Sequence, residues 1–387
     1  MMRSIHAIRQ IWTLLSVGLI MWGPVHSQNL IDKKATPQTQ ALFSNLIRIS
    51  EQGILFGHQE TDAYGVGWTG IPGKSDVKEV CGALPAVHGW DIGREETDKN
   101  VDGIEFVKIR QWIKETYDRG GVTAISWHVD NPTTLGNAWD TVASVRHILP
   151  GGKDHQKFVK RLDHIASFLS SLKSGSTYIP VIFRPYHEHN GNWFWWGKGH
   201  CTETEYIQLW RFTVEYLKNE KNLHHLIYSF SPDRGRFNMD DVRASYLYAY
   251  PGDDYVDLLG YDNYMDVGIA WNKKTQREQL ADLVKGLRTL SDLAKEKKKA
   301  AALTETGQEG ITNPNWFTQT ILNPLKENPD IKLSFFMVWR NANTKHHYAP
   351  YPGHASADDF VVFYKDPYTL FENDIQNLYT SGKSLVK

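Results

Sequence analysis

The chain is poor in cysteine, with 2 among 387 residues. That excludes a disulfide scaffold and leaves too few thiols for a cysteine-built zinc or iron–sulfur site. It also lacks an excess of either charge. Lys and Arg number 43 against 44 Asp and Glu, a formal net charge of −1, so nothing in the balance favours a nucleic-acid or other polyanionic partner. No Gly-rich phosphate loop follows the first strand-like run, which weakens a nucleotide-binding doubly wound sheet. After residue 28 there is no linker, no low-complexity tract and no apolar run long enough to cross a membrane. What the chain has in quantity is aromatic: 14 Trp, 18 Tyr and 16 Phe, 12% of the residues. Disordered segments are poor in such side chains, so this payload implies a packed fold.

The first segment stands apart. Arg3 and Arg9 flank the start of a short apolar run, Ile11 to Gly23, too brief for a comfortable membrane span. Val25 and Ser27 then occupy the −3 and −1 positions of a cut before Gln28. This pattern predicts a cleavable signal peptide over 1–27, a single catalytic domain over 28–387, and a secreted or periplasmic product with no membrane attachment after cleavage.

Beyond the leader, short apolar runs alternate with amphipathic ones. Strands are predicted over Ile54–Glu60, Leu84–Gly93, Gly121–Val129, Tyr178–Glu188, Leu226–Asp233, Val256–Tyr264, Ala301–Gly307 and Leu333–Ala342. Helices are predicted over Ile104–Gly120, with Ile104, Val107, Trp112 and Ile113 on one side, and over Phe158–Leu172, Tyr206–Asn219 and Gln279–Lys299. Thr202 and Glu205 form a capping-box pattern before the third of these. Eight strands alternating with helices predict an α/β fold, a single closed (β/α)8 TIM barrel with its site at the C-terminal strand ends.

Those ends should then be crowded with polar and aromatic side chains, and they are. Trp68, Trp90, Trp127, Trp139, Trp193, Trp195, Trp196, Trp271 and Trp339 fall at strand ends or in the loops after them, whereas Trp112, Trp210 and Trp316 fall on helices. Sugars offer flat apolar faces ringed by hydroxyls, so a rim of aromatic platforms and hydrogen-bonding groups suits them. Cleaving a glycosidic bond needs two carboxyl groups, about 5–5.5 Å apart in the retaining mechanism. Glu188 and Glu305 are the best pair, because each ends an apolar strand, where an ionisable group is costly without a purpose. Ion pairs with Arg184 or Arg340 are the purely structural alternative. Cys81 and Cys201 are predicted at opposite ends of the barrel, too far apart to bridge.

The segment Arg184-Pro-Tyr-His-Glu-His-Asn-Gly-Asn-Trp-Phe-Trp-Trp-Gly197 closely resembles the acid/base segment of glycoside hydrolase family 26, the β-mannanases. Phe56-Gly-His-Gln59, Ser126-Trp-His128, Asp262-Asn-Tyr264, Thr304-Glu-Thr-Gly307 and Val338-Trp-Arg340 match further landmarks of that family in order. The resemblance spans about residues 40–380. It implies a (β/α)8 barrel and retaining double displacement on mannan, glucomannan or galactomannan, endo-acting or mannobiose-releasing, with no cofactor. The histidines around Glu188 read as donors to sugar hydroxyls, and no metal is expected, because ligands at His187 and His189 would flank an outward-facing Glu188 and waste the best carboxylate. By this resemblance Glu188 is the acid/base and Glu305 the nucleophile. His187 and Tyr264 resemble residues that hydrogen-bond and orient the nucleophile. His128 and Trp339 resemble contacts to the sugar on the non-reducing side of the cut, and Trp193 the platform for the leaving-group sugar. Asp262 and Arg340 resemble supporting polar contacts. The competing functions are a retaining glycanase on xylan or mixed-linkage glucan, and a non-catalytic carbohydrate-binding barrel.

Overall fold

The structure is a computed structural model that describes residues 30–387, so the predicted signal peptide lies outside the described residues. Eight parallel strands form a ring: β1 (Ile54–Gln59), β2 (Val87–Asp91), β3 (Val122–Trp127), β4 (Val181–Pro185), β5 (Leu226–Phe230), β6 (Leu258–Asn263), β7 (Ala300–Thr306) and β8 (Phe335–Val338). Each strand pairs with the next, and β8 pairs back onto β1 from Leu55–Phe335 to His58–Val338, which closes the sheet. All eight lie inside or across the predicted strands. Strands buried on both faces read as nearly continuous apolar runs, and every residue of β3 and β7 is buried.

Five larger helices surround the ring: α1 (Pro37–Ile49), α2 (Phe106–Arg119), α3 (His155–Ser170), α4 (Glu203–Glu215) and α5 (Gln276–Lys297). The first has a special position. Leu42, Phe43, Leu46 and Ile49 of α1 join Leu55, Val87, Ala124, Ile182, Ile227 and Leu258 in one apolar cluster, so α1 seals the N-terminal mouth of the ring. The opposite mouth is left for chemistry. The other helices coat the outside. The Thr202–Glu205 capping box forms as predicted, and a second one, Thr275 with Glu278, starts α5. Gly120 closes α2 with φ 96, a left-handed cap that favours glycine.

One predicted helix face is corrected. The buried stripe of α2 is Phe106, Ile109, Ile113 and Thr116. Val107 points out, 62% exposed, and Ile104 precedes the helix. Trp112 is half-buried and stacks on Trp90, ring centroids 5.5 Å apart. The helix starts at Phe106, and a spacing of three and four counted from that start selects a different face.

Two register shifts break the regular pairing. They fall between Tyr261 and Asp262 on β6 against β7, and between Leu303 and Thr306 on β7 against β8. Bulges re-aim side chains at barrel rims. Both lie at the level of Asp262 and Glu305.

Candidate active site

Strand β4 leaves the barrel through strained backbone. Tyr186 and Glu188 both have left-handed φ, 48 and 54, conformations that cost a non-glycine residue of order 1 kcal/mol or more and persist only where the surroundings fix them. Here they are fixed. The Tyr186 side chain is fully buried and its hydroxyl meets that of Thr213 at 2.9 Å. The Glu188 N–H donates to the Ser231 carbonyl at 2.7 Å. The outcome is that Glu188 faces a cleft of about 890 Å³, lined also by Glu305, His128, His187, Trp193, Tyr264 and Trp339.

The two glutamates are dressed in opposite ways. Glu305 receives an N–H of Arg184 at 2.5 Å on one oxygen and the Tyr264 hydroxyl at 2.8 Å on the other. The second arm of the Arg184 guanidinium donates to Asp262 at 2.6 Å, and the Thr304 hydroxyl donates to the other Asp262 oxygen at 2.7 Å. Glu188 receives only the neutral indole N–H of Trp193, at 2.7 Å. Burial and the carboxylates of Asp233, Glu305 and Asp262 push its pKa well above the usual carboxylate value, against the pull of Arg184. Burial also pushes neighbouring Asp233 up to about 6.

The histidines differ too. Burial works against a charged ring at His128, but the Asp91 carboxylate, 2.7 Å from Nδ1, outweighs it and raises the pKa. Trp139 stacks on that ring at 5.1 Å. Burial, with the positive Arg184 and His128 nearby, holds His187 well below the usual imidazole pKa, so it is neutral.

Not every expected contact is present. Glu188, Glu305, His128, His187, Trp193, Tyr264 and Trp339 come together at the cleft, and Tyr264 bonds Glu305 as expected. No hydrogen bond joins His187 to Glu305. The left-handed turn at Tyr186 swings the His187 ring against His128 (4.6 Å) and Phe194 (5.3 Å), and Arg184 takes the place beside Glu305. Asp262 is fully buried behind Arg184 and does not line the cleft. Arg340 also lies off the cleft lining. It pairs with Asp102 at 3.2 Å and reaches the Tyr64 hydroxyl at 3.4 Å, beside the fully buried Glu60.

The tryptophans split as well. Trp139, Trp193, Trp271 and Trp339 line the cleft. Trp68, Trp90, Trp127, Trp195 and Trp196 are buried in the packing around it, so the aromatic excess at the rim is only partly a sugar-facing surface. From the sequence, Arg184 reads mainly as a competing ion-pair partner. Its signal was an arginine at the centre of an apolar strand, a position that needs buried carboxylates. Cys81 and Cys201 are unpaired, and burial pushes their thiols up to about 11 and about 12.

Comparison with known proteins gives one consistent result. The model of the family described as glycosyl hydrolase family 26 matches residues 31–370. A mannan endo-1,4-beta-mannosidase of Bifidobacterium adolescentis is 38% identical over 297 residues, 74% of this chain and 28% of that protein. The chain therefore spans about a quarter of that relative's length. A mannan endo-1,4-beta-mannosidase of Bacillus subtilis is 26% identical over 357 residues, 87% of this chain and 89% of that one. Among solved structures, a GH26 beta-mannanase from Bacteroides ovatus superimposes with a TM-score of 0.82 at 43% identity, covering 89% of this chain and 98% of that one.

Proposed function

The chain belongs to glycosyl hydrolase family 26, and from that premise we propose that it hydrolyses β-1,4-mannosidic bonds of mannans by a retaining double displacement. The observation that carries this reading is the unequal dressing of one carboxyl pair. Glu305, held by Arg184 and Tyr264 with both oxygens occupied as acceptors, suits a nucleophile aimed at the anomeric carbon. Glu188, with its pKa raised, suits an acid that keeps its proton until the bond begins to break.

In the first step Glu305 attacks the anomeric carbon as Glu188 protonates the departing glycosidic oxygen. A glycosyl ester on Glu305 forms and the leaving-group sugar departs. In the second step Glu188, now a carboxylate, takes a proton from water, whose oxygen displaces Glu305 and restores the original configuration. Trp193 touches Glu188 and offers an aromatic face on the leaving-group side. His128, held by Asp91, and Trp339 line the donor side. The mannanase names of the relatives support mannan as substrate. We further infer secretion to the periplasm or medium, from the leader pattern in 1–27.

The direct test is Glu305→Gln, which keeps size and shape. Hydrolysis of mannohexaose should be abolished while mannooligosaccharide binding, measured by calorimetry, persists. Undiminished hydrolysis would overturn the assignment of Glu305.

A further inference from the structure

One tryptophan of the cleft is unaccounted for by the chemistry above. Trp271 lies in the loop after β6, lines the cleft, and is 60% exposed. Among the described residues its indole has no stacking partner and no hydrogen bond. Trp139, the other exposed cleft tryptophan, already stacks on His128. A large apolar ring left bare on a cleft wall points to a ligand face.

The loop that carries it is held firmly. The Gly268 N–H donates to Gln279 at 3.1 Å, and Gln308 donates to the Gly268 carbonyl at 3.1 Å. Asn272, the next residue after Trp271, donates to the Met265 carbonyl at 2.7 Å. Gly268 has φ 100, and a Cβ there would meet the Gln308 amide nitrogen at 2.4 Å. These contacts fix the backbone on both sides of Trp271.

The wall from Trp193 to Trp271 is continuous. Arg236 lies over the Trp193 ring, 5.1 Å from its centroid. The adjoining Gly235 sits against the Met265 side chain, 3.5 Å from where a Cβ would be. Met265 in turn is tied to Asn272 beside Trp271. In the closed strand order, β5 and β6 stand opposite β1 and β2. The Arg340 guanidinium is held by Asp102 and Tyr64, in the loops after β2 and β1, so it lies across the ring from the β6 loop that carries Trp271.

We propose that Trp271 is a stacking platform for a second sugar ring of the leaving group, one ring beyond Trp193. The proposal rests on the β-mannanase reading. It assigns Trp271 to substrate length, not to bond cleavage: a short leaving group never reaches it.

The test compares two substrates with Trp271→Ala and Trp271→Phe. Mannopentaose places several sugars on the leaving-group side, whereas an aryl β-mannobioside leaves as a single ring. Trp271→Ala should lower kcat/KM on mannopentaose about tenfold, the scale of one lost aromatic anchor, and leave the aryl substrate within about twofold. Trp271→Phe, which keeps a ring, should recover most of the mannopentaose rate. Equal losses on both substrates, or no loss on either, would overturn the proposal. Failure of the unaltered enzyme to cleave either substrate would sink the mannanase reading and this proposal with it, an outcome distinct from the variant results.

Discussion

Replacing Arg184 by Met should damage stability and turnover together. Arg184 is 3% exposed and its guanidinium bonds Asp262 and Glu305 at 2.6 and 2.5 Å; those partners are 0% and 7% exposed. Without it, two buried carboxylates face one another with no counter-charge. Breaking a buried pair by removing one partner costs about 3–5 kcal/mol. At roughly 1.3 °C per kcal/mol for a domain of about 360 residues, the melting temperature should fall by roughly 4–7 °C. Neutral donors soften but do not remove this loss, since Thr304 gives Asp262 one bond and Tyr264 gives Glu305 one. A second variant isolates the charge. Arg184→Met with Asp262→Asn removes the buried carboxylate on the far side and should regain about half of the lost stability or more. It should regain no turnover, because Glu305 still lacks its cation. Thermal unfolding at neutral pH and hydrolysis of mannohexaose measure the two effects. A melting temperature for Arg184→Met within about 1 °C of the unaltered enzyme would refute the reasoning, as would a double variant no more stable than the single.

The remaining predictions concern pH. kcat/KM should fall on the alkaline side as Glu188 loses its proton, and Asp233→Asn, by removing one of the carboxylates that raise the Glu188 pKa, should move that limb to lower pH; an unmoved limb would argue against Asp233 as a cause. His88 bears on stability instead. Burial opposes its charge, but Asp62, 2.5 Å from Nδ1, together with Glu372, raises its pKa to about 9. A raised histidine pKa contributes stability that is complete below about pH 6.5 and is lost as pH rises through about 9, worth about 3 kcal/mol at full size. Melting temperature followed from pH 6.5 to 9.5 should fall in the unaltered protein, and His88→Gln should flatten that fall.

The ring of strands was legible because a barrel strand is buried on both faces and must read as an apolar run, broken only where it reaches solvent or substrate. β4 and β7 illustrate this: apolar residues up to Phe183 and Leu303, then a polar cluster containing Glu188 and Glu305. The placing of Glu188 and Glu305, the pair proposed as catalytic, at the open mouth of the barrel was legible for the same reason. The tryptophan rim was legible only in part. Side chains at successive strand positions alternate between the barrel interior and the helix layer, so Trp90 and Trp127, though at strand ends, pack outward under α2 and α3. A position along the chain does not state which side of the sheet a ring takes. The His187 contact failed on backbone geometry. The resemblance implied a His187 contact to the nucleophile, but a left-handed Tyr186 turns the ring elsewhere, and no residue-type preference announces that conformation in a tyrosine.

Arg184 explains why the two glutamates are held so differently. Glu188, Asp233, Asp262 and Glu305 act on one another electrostatically in a small volume. The guanidinium is committed to Asp262 and Glu305 by its two arms, so its charge serves that side of the cluster best. Glu188 has no cationic hydrogen-bond donor, and burial together with the nearby carboxylates raises its pKa, which favours its protonated form. On the proposed mechanism Glu188 is set apart first by its burial and then by the carboxylates around it, while the arginine is hydrogen-bonded to Glu305 instead. Arg184 lies on β4 and Glu188 four residues on, in the turn that follows the strand, so one short segment of chain supplies both the carboxyl group with the raised pKa and the cation that holds Glu305.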